Sequence, residues 1–585
     1  MVANSGQVVG TAAPVPARAL PPLAPATTAV LFATMAAEGG GPAAALPWED
    51  GTVLGRLLEQ FADLGVARVH VVTRAAWAPA LEPLLGASAR LHVSEDAAGD
   101  LGALARLARA SAGPLIVAYG EIVTQREVLA GLLADPRIGT GVLTTTRALA
   151  RPFAWRTRAR AGKVVAAASS YHAVRVPNAT FLGVLKVGAP DRVRLIEVVE
   201  RLTELVRGPL PPAWEEELAA KGERWRRWLA VTAIVRAGGE APPPEARDDL
   251  PLSPVDEAEL ERRLAHARDD VTALVLVGLV RAGTSVGLSR LRGLFWARPL
   301  SNAAVREARE QIEDHDEARA LLDATVKSSD GFFTTFFVSP YSKYIARWAA
   351  RRGLTPNQVT LASIAVGVVA AAGFATGERA GLVAGAVLLQ VAFTLDCVDG
   401  QLARYTRTFS RFGAWLDSIF DRTKEYLIFA GLAIGASRAG DPVWGLATAA
   451  LALQTTRHAV DFSYPAIRRQ RLTGIAQPPI EEPLDGPRRA REANDDPELP
   501  GEAAPPEERL PLSRRVLAAW RRGDHSRRIV WVKKIVAFPI GERFAALSLT
   551  AALFSPRTTF LVLLAWGGFA ALYILSGRLL RSLAR

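Results

Sequence analysis

Four aspartates at regular spacings are the residues of this chain best suited to metal chemistry. Asp396 and Asp399 are three residues apart and Asp417 and Asp421 are four apart, so each pair lies on one face of its own helix. The first pair ends an apolar run and the second begins another, which predicts four carboxylates at one membrane–water boundary. Carboxylates there are costly unless a cation neutralises them, and all-oxygen ligands favour Mg²⁺ or Mn²⁺ over zinc. The spacing therefore predicts a divalent-metal site, with helix caps and surface charges as the alternative.

Small residues and an arginine accompany these aspartates. The stretch reads D-C-V-D-G-Q-L-A-R, then eight residues, then G-A-W-L-D-S-I-F-D. It resembles the signature of the CDP-alcohol phosphotransferases, D-x2-D-G-x2-A-R-x8-G-x3-D-x3-D, and every fixed position is present. Enzymes of this family transfer a phosphoalcohol or phosphatidyl group from a CDP-linked donor to a second alcohol and release CMP.

The resemblance implies a role for each position. Asp396, Asp399 and Asp417 would bind one metal ion, Asp417 and Asp421 a second, and Asp421 would also take the proton of the attacking hydroxyl. Two such ions neutralise a pyrophosphate and stabilise both oxygens of an in-line displacement. Small residues let a nucleotide approach closely, and an arginine can fork onto phosphate oxygens. Contacts to the donor nucleotide are implied for Asn357, Thr360, Gly400, Ala403, Arg404, Ser410 and Gly413.

Candidates for the acceptor site follow in later apolar spans. Histidine and aspartate at a membrane edge are candidate ligands for a hydroxylated, phosphorylated acceptor, and clustered cations can form an anion pocket. A structural ion pair, or side chains that reach up to lipid headgroups, is an equal alternative. The acceptor candidates are Arg457, His458, Asp461, Lys533, Lys534 and Arg543.

Composition indicates a membrane protein with a large soluble part. At 585 residues the chain is too long for one core, and half of it is hydrophobic although 22% is charged. A formal charge of +12 favours anionic lipid as partner rather than nucleic acid, because no nucleic-acid motif is present. The single cysteine, Cys397, excludes an intrachain disulfide.

Apolar stretches in the second half predict an α-helical membrane domain of six transmembrane helices. Lysines and arginines are concentrated in alternate loops, which places both termini and the aspartates in the cytoplasm. The absence of an apolar signal region at the N-terminus agrees with this orientation. The predicted spans lie near residues 359–376, 380–397, 414–436, 442–462, 535–554 and 558–576.

The first half has the pattern of a soluble α/β domain. Residues 1–26 are rich in Ala and Pro and are expected to be disordered, and strands alternate with helices over 27–205. This domain resembles sugar-phosphate nucleotidyltransferases, which precede some CDP-alcohol phosphotransferases in fused inositol-phosphate enzymes. The arginine and lysine that such enzymes place in and after the first glycine-rich loop are missing from A-T-M-A-A-E-G-G-G-P and A-L-P-W-E-D-G. We therefore expect a degenerate or ligand-sensing domain; the alternative is an active one, with Glu121 as metal ligand.

The remaining boundaries follow from composition. Residues 206–338 are predicted to be a helical linker region and 339–585 the membrane domain, with a cytoplasmic insertion at about 465–528. The predicted function is metal-dependent transfer from a CDP-diacylglycerol or CDP-inositol type of donor to a phosphoalcohol or lipid acceptor. The alternatives are a bifunctional enzyme that makes its own CDP-alcohol from CTP, and, more remotely, an inactive membrane scaffold. The resemblance also implies a homodimer in the cytoplasmic membrane.

Overall fold

The computed structural model describes residues 27–86, 89–146, 155–243, 246–247, 250–314, 316–327, 330–473, 477–484 and 527–583. The predicted disorder of residues 1–26 and most of the predicted insertion lie outside this part of the chain. The described residues form an N-terminal α/β region and a C-terminal helical region.

A nine-stranded mixed sheet is the centre of the N-terminal region. The strands of the whole region are β1 Thr28–Ala33, β2 Pro47–Trp48, β3 Gly51–Thr52, β4 Arg68–Arg74, β5 Ala89–Ser94, β6 Leu115–Tyr119, β7 Val123–Thr124, β8 Gly141–Thr145, β9 Trp155–Arg160, β10 Lys163–Ala167, β11 Ala179–Val187, β12 Gly287–Arg290 and β13 Trp296–Ala297. The sheet has the order β5-β4-β1-β6-β11-β8-β12-β10-β9. Strands β5, β4, β1 and β6 are parallel, and β11 is antiparallel to both β6 and β8. The apolar run of β1 is buried throughout, as a central parallel strand requires.

Helices cover both faces of this sheet. They are α1 Val53–Asp63, α2 Ala78–Leu81, α3 Ala97–Ala110, α4 Arg126–Leu133, α5 Arg192–Arg207, α6 Pro212–Arg236, α7 Pro254–Asp269, α8 Val271–Arg281, α9 Asn302–Glu313 and α10 Glu317–Thr325. Helices α3, α5 and α8 share a core with one face, and α1 and α4 share a core with the other. Helix α8 and strand β12 come from the segment predicted as a helical linker, so the sheet extends beyond residue 205 in sequence.

The C-terminal region is a bundle of long helices. After a π-helical turn at Thr334–Val338 they are α11 Ser339–Arg351, α12 Pro356–Ala375, α13 Arg379–Thr406, α14 Arg411–Arg438, α15 Trp444–Thr473, α16 Arg527–Val536, α17 Ile540–Leu553 and α18 Pro556–Leu583. Among the described residues, three helices (Pro356–Ala375, Arg379–Thr406 and Pro556–Leu579) are long and apolar enough to cross a membrane. A fourth is added if the bent pair Arg528–Val536 and Ile540–Leu553 counts as one span. Several apolar helices are thus present, whereas six spans are not confirmed.

Close glycine packing brings α12, α13 and α14 together. A Cβ on Gly431 would lie 2.4 Å from the carbonyl oxygen of Ala371, and one on Gly385 would lie 2.9 Å from that of Ala370. Glycine at these positions lets the helix backbones approach, as is common between membrane helices. The approach brings the ends of α13 and α14 that carry the aspartates beside α12.

The regions are in contact at several places, among them the segment 477–484 and the end of α13. In the short described segment 477–484, the carbonyl oxygen of Ile480 accepts hydrogen bonds from His172 Nε2 at 2.8 Å and Trp214 Nε1 at 3.2 Å. The Ile480 side chain packs against the core of the α/β region. At the other contact, Arg407, which ends α13 with a positive φ of 57°, forms an ion pair with Glu127 of α4. The α/β region therefore lies beside the end of α13 that follows the aspartates.

Candidate active site

Three of the four predicted aspartates converge between α13 and α14. Asp396, Asp417 and Asp421 each offer a carboxylate oxygen, and these oxygens lie within 4.8 Å of one another. Asp399, the next buried carboxylate along α13, accepts a 2.6 Å hydrogen bond from Thr360 Oγ1 of α12. Asp421 Oδ1 is buried and accepts no hydrogen bond within the described part of the chain. A cluster of carboxylate oxygens with an unsatisfied member fits a divalent cation.

A lysine that the sequence reading overlooked enters this cluster. The Lys424 side chain is 1% exposed, and its ammonium contacts Asp396 and lies 3.2 Å from Asp421 Oδ1. Lys424 follows Asp421 by three residues on α14, so the i,i+3 spacing was a signal that could have identified it. The site therefore holds four carboxylates and one fixed cation.

The donor candidates are distributed around the N-termini of α12 and α14. A Cβ on Gly413 would lie 2.8 Å from Asn357 Oδ1, so glycine is needed where these two helices meet. Ser410 caps α14, because its Oγ accepts a 3.1 Å hydrogen bond from the Gly413 amide. Gly400 and Ala403 are half-buried on α13. These residues line the approach to the aspartates from one end of the bundle.

Arg404 lies on α13 between the aspartates and the connection to the α/β region. Its Nε donates to the carbonyl oxygen of Thr325, in the segment that leads from the α/β region to the bundle. Its Nη1 and Nη2 lie beside Gly400, at 3.3 and 3.5 Å from the position of a Cβ there. The hydrogen bond to Thr325 engages only Nε, so the predicted contact of Arg404 with a donor phosphate stays a prediction.

Among the acceptor candidates, Arg457 and Arg543 share the carbonyl oxygen of Phe538, whereas Asp461 and Lys534 bond to other partners. Arg457 donates to the carbonyl oxygens of Ala537 and Phe538. Asp461 pairs with Arg578 at 2.6 Å, and Lys534 donates to the carbonyl oxygen of Asp330 at 2.9 Å. Lys533 lies beside Lys534 on α16, at the far end of the predicted insertion.

His458 and Arg543 instead meet at a buried glutamate. Arg543 makes two hydrogen bonds to Glu425, at 2.9 and 3.3 Å, and His458 Nε2 lies 3.6 Å from the same carboxylate. Gln454 Nε2 donates to Glu425 at 3.2 Å. Glu425 was missed in the sequence, although it follows Asp421 by four residues on the same helix face. This network ties α14, α15 and α17 together behind the aspartates.

A second group of acidic residues lies in the α/β region, just beyond β6. Glu121 is fully buried and its Oε1 lies 2.5 Å from Arg298 Nη2, while Arg298 Nη1 lies 3.5 Å from Asp270 Oδ2. Asp270 also accepts hydrogen bonds from Tyr119 Oη at 2.8 Å and Trp155 Nε1 at 2.7 Å. The Arg298 guanidinium lies between the two carboxylates, where a metal ion shared by Glu121 and Asp270 would have to lie.

Burial and charge act in opposite directions on this group. Burial raises the pKa of Glu121 above its ordinary value, and Arg298 opposes the rise. Burial lowers the pKa of Arg298, but Glu121, Tyr119 and Asp270 more than offset it, so this pKa is raised overall. Burial and then Asp270 raise the pKa of Tyr119, which keeps its hydroxyl protonated as a donor. The arginine therefore stays positively charged beside these carboxylates.

A cavity of about 450 Å³ adjoins this arginine. Ala36 and Glu38, from the glycine-rich loop after β1, line it together with Arg263, His266 and Arg298. The glycine-rich loop, which lacks the arginine and lysine expected of a triphosphate site, thus faces a cavity, and Arg298 in the cavity lining pairs with Glu121 and Asp270.

Comparison with known proteins finds a family match within the bundle. Residues 353–475 match the family model of CDP-alcohol phosphatidyltransferases. This segment carries a CDP-alcohol phosphatidyltransferase domain. All four aspartates and every donor candidate fall inside it, as do Arg457, His458 and Asp461, whereas the acceptor candidates Lys533, Lys534 and Arg543 lie beyond it. The family predicted from the aspartate signature is confirmed.

Similar proteins include three curated relatives. The chain is 38% identical over 91 residues to archaetidylinositol phosphate synthase of Pyrococcus horikoshii (16% of this chain, 47% of the relative). It is 37% identical over 118 residues to bifunctional IPC transferase and DIPP synthase of Archaeoglobus fulgidus (20% and 23%). It is 35% identical over 123 residues to phosphatidylinositol phosphate synthase of Streptomyces avermitilis (21% and 46%). The matches thus span less than half the length of each relative.

A solved structure was also found by superposition. The inositol-1-phosphate CTP transferase from T. maritima covers 49% of this chain and 96% of its own length, at 12% identity and a TM-score of 0.31.

Proposed function

We propose that this chain is a membrane-bound, divalent-metal-dependent phosphotransferase. It would move a phosphoalcohol or phosphatidyl group from a CDP-linked donor to an alcohol acceptor and release CMP. The observation that carries the proposal is the convergence of Asp396, Asp417 and Asp421 within 4.8 Å, inside the segment that matches the family. Mg²⁺ or Mn²⁺ is the cation that such oxygen ligands favour.

The chain's own residues would divide the work as follows. Asp396, Asp417 and Asp421 would hold the cation, which when bound neutralises the pyrophosphate of the donor. Asp421 would accept the proton of the acceptor hydroxyl as its oxygen bonds to the phosphorus that carries the alcohol. The bond from that phosphorus to the CMP oxygen breaks, and CMP leaves. Thr360 would keep Asp399 oriented through their 2.6 Å hydrogen bond.

The substrate class is proposed from the relatives' names. Two of the three name an inositol phosphate product, and we propose CDP-diacylglycerol or CDP-inositol as the donor and a phosphoalcohol or lipid as the acceptor. Contact with the donor nucleotide is proposed for the seven residues named above around α12, α13 and α14. Acceptor contact is proposed for His458 and Arg543, because their network with Glu425 lies behind the aspartates.

The test is CMP release by the full chain in neutral detergent, with each donor offered inositol phosphate or inositol lipid in Mg²⁺. We expect CMP from at least one pair, and its loss in EDTA. Asp417→Asn should behave like EDTA, whereas Asp441→Asn, which removes an exposed partner of Arg557 outside the site, should retain activity. CMP release that is insensitive to EDTA, or absent with every pair, contradicts the proposal.

The proposed orientation places the aspartates on the cytoplasmic side of the cytoplasmic membrane. The support is the concentration of basic residues in the loops on that side. In a background without Cys397, a cysteine introduced at Ser410 should resist a membrane-impermeant thiol reagent in intact cells, whereas Ser437→Cys should react. Labelling at position 410 at the same rate as at position 437 would contradict the proposed orientation.

For the α/β region, we propose that it no longer makes a CDP-alcohol. Arg298 supports this proposal, because it lies between the two carboxylates that a metal ion would need. Release of pyrophosphate from CTP, tested below, would favour the bifunctional alternative instead.

A further inference from the structure

The inference concerns Lys424 and rests on the proposed function of the aspartate cluster. Lysine is a rare neighbour for metal-binding carboxylates, because its ammonium competes with the metal ion for the same oxygens. In this chain the ammonium contacts Asp396 and lies 3.2 Å from Asp421 Oδ1. The sequence resemblance assigned these two aspartates to different metal ions, so a single lysine interferes with both assignments.

Three helices build the place that Lys424 occupies. Its stem passes Gly367 of α12, where a Cβ would lie only 3.0 Å from Lys424 Cγ. One turn earlier on α12, Ser363 Oγ donates to the carbonyl oxygen of Ala392 and accepts a 3.0 Å hydrogen bond from the Lys424 ammonium. The ammonium thus donates hydrogen bonds to Ser363 of α12 and Asp396 of α13, and it forms an ion pair with Asp421 of α14 at 3.2 Å. The Lys424 side chain is therefore positioned by contacts with Gly367 and Ser363 of α12 as well as by its attraction to the aspartates.

The net charge of the aspartate cluster limits how many divalent cations it can bind. Four aspartates and one lysine carry a net charge of −3, and one divalent cation reduces it to −1. A second divalent cation would make the group positive before any substrate arrives, and it would have to lie within a few ångströms of the ammonium. At such distances two positive charges repel strongly unless solvent screens them, and Lys424 is 1% exposed.

We propose that Lys424 takes the place of one divalent cation, so that the aspartate cluster binds a single metal ion. The ammonium supplies a fixed positive charge on the Asp396 and Asp421 side. The single exchangeable ion then binds Asp417 together with the oxygens of Asp396 and Asp421 that the ammonium does not contact. In this site, one lysine and one metal ion together neutralise the carboxylates.

The test counts bound Mn²⁺ on the full chain in neutral detergent, by equilibrium binding and by electron paramagnetic resonance, with no substrate present. We expect one Mn²⁺ per wild-type chain and the spectrum of an isolated ion. Lys424→Met keeps a long apolar stem beside Gly367 but removes the charge, and should bind two Mn²⁺ with a spin-coupled signal. Lys424→Arg retains the charge and should bind one. The double variant Asp396→Asn/Asp417→Asn measures non-specific binding.

The outcomes separate this inference from the function it rests on. Two Mn²⁺ in the wild-type chain, or a spin-coupled signal from it, overturns the role of Lys424 and leaves the metal-dependent function standing; this readout needs no variant to fold. A single Mn²⁺ in a folded Lys424→Met chain also overturns it. Both proposals are contradicted if the wild-type chain binds no more Mn²⁺ than the double variant. The number of bound Mn²⁺ ions is measured independently of CMP release.

Discussion

The two acidic groups of this molecule differ in how many of their charges the chain itself neutralises. In the α/β region, Glu121 and Asp270 share Arg298, and Asp270 has two further hydrogen-bond donors. In the bundle, Lys424 pairs with Asp396 and Asp421, two of the four aspartates. The first group leaves one negative charge in a closed core and the second leaves three beside half-exposed side chains. Carboxylates alone therefore do not indicate a metal site. Whether a group of carboxylates can bind a metal ion depends on how many of them are already paired with cationic side chains.

The difference also separates stability from function. A buried carboxylate paired with arginine is difficult to remove without leaving an uncompensated charge. Crowded carboxylates with too few cations oppose folding and are retained where a bound ion offsets their repulsion. We therefore expect substitutions in the first group to affect folding and those in the second to affect turnover.

The largest expected effect is on CMP release. Asp421→Asn should lower it by about 10²–10⁴-fold, because the proton of the attacking hydroxyl loses its acceptor. The matched change in the other group, Glu121→Gln, should leave the rate within about twofold, since Glu121 lies outside the reacting site. The measurement is initial rates at saturating donor. Full activity in Asp421→Asn would remove that residue from the proposed role.

The second expectation is the absence of pyrophosphate release from CTP. The full chain, given CTP with inositol phosphate or another sugar phosphate, should release none above background. Loss of one preorganised cationic group commonly costs about 10²–10³-fold in rate, and this loop lacks both its arginine and its lysine. Robust pyrophosphate release that disappears in Glu121→Ala would reverse the comparison and make the α/β region a second active site.

The third expectation concerns stability, which should depend more on the Glu121 group than on the aspartate cluster. Glu121→Ala should lower the free energy of unfolding by about 3–5 kcal/mol, because Arg298 loses its nearest partner in a closed core. Asp417→Asn should change it by about 0.5 kcal/mol or less, or raise it, since it relieves repulsion among carboxylates. Thermal unfolding of the full chain in detergent with EDTA gives both values. Similar losses in the two variants would mean that both groups are structural.

The smallest effect concerns the contact between the regions. Burial, with help from Arg281 and Lys221, lowers the pKa of His172 well below 6.5. The unfolded chain then binds the proton more readily, so stability is complete above about pH 6.5 and falls as the pH drops below it. We expect Tm to fall between pH 7 and pH 5, and His172→Gln, which keeps a donor for the Ile480 carbonyl, to reduce the fall. An unchanged pH dependence in His172→Gln would assign it to other groups.

Much of the bundle was predictable because its signals are local. The spacing of Asp396, Asp399, Asp417 and Asp421 determines their helix faces, and the family follows from that pattern. The division into an α/β region and a helical region follows from the periods of the apolar residues. The number of spans was less predictable, because α14 and α15 combine apolar faces with charged residues and only the packing shows which side each faces.

The sequence by itself determined the chemistry available: four carboxylates at helical spacings, small residues around them and apolar helices to carry them. Tertiary structure decided which charges meet. Arg298 is 177 residues from Glu121 and reaches it only because β13 pairs with β7. Lys424 is 28 residues from Asp396 and reaches it only because glycines let α12, α13 and α14 approach closely. Local spacing fixes which face a side chain occupies, whereas contacts between distant segments depend on the packing of whole elements.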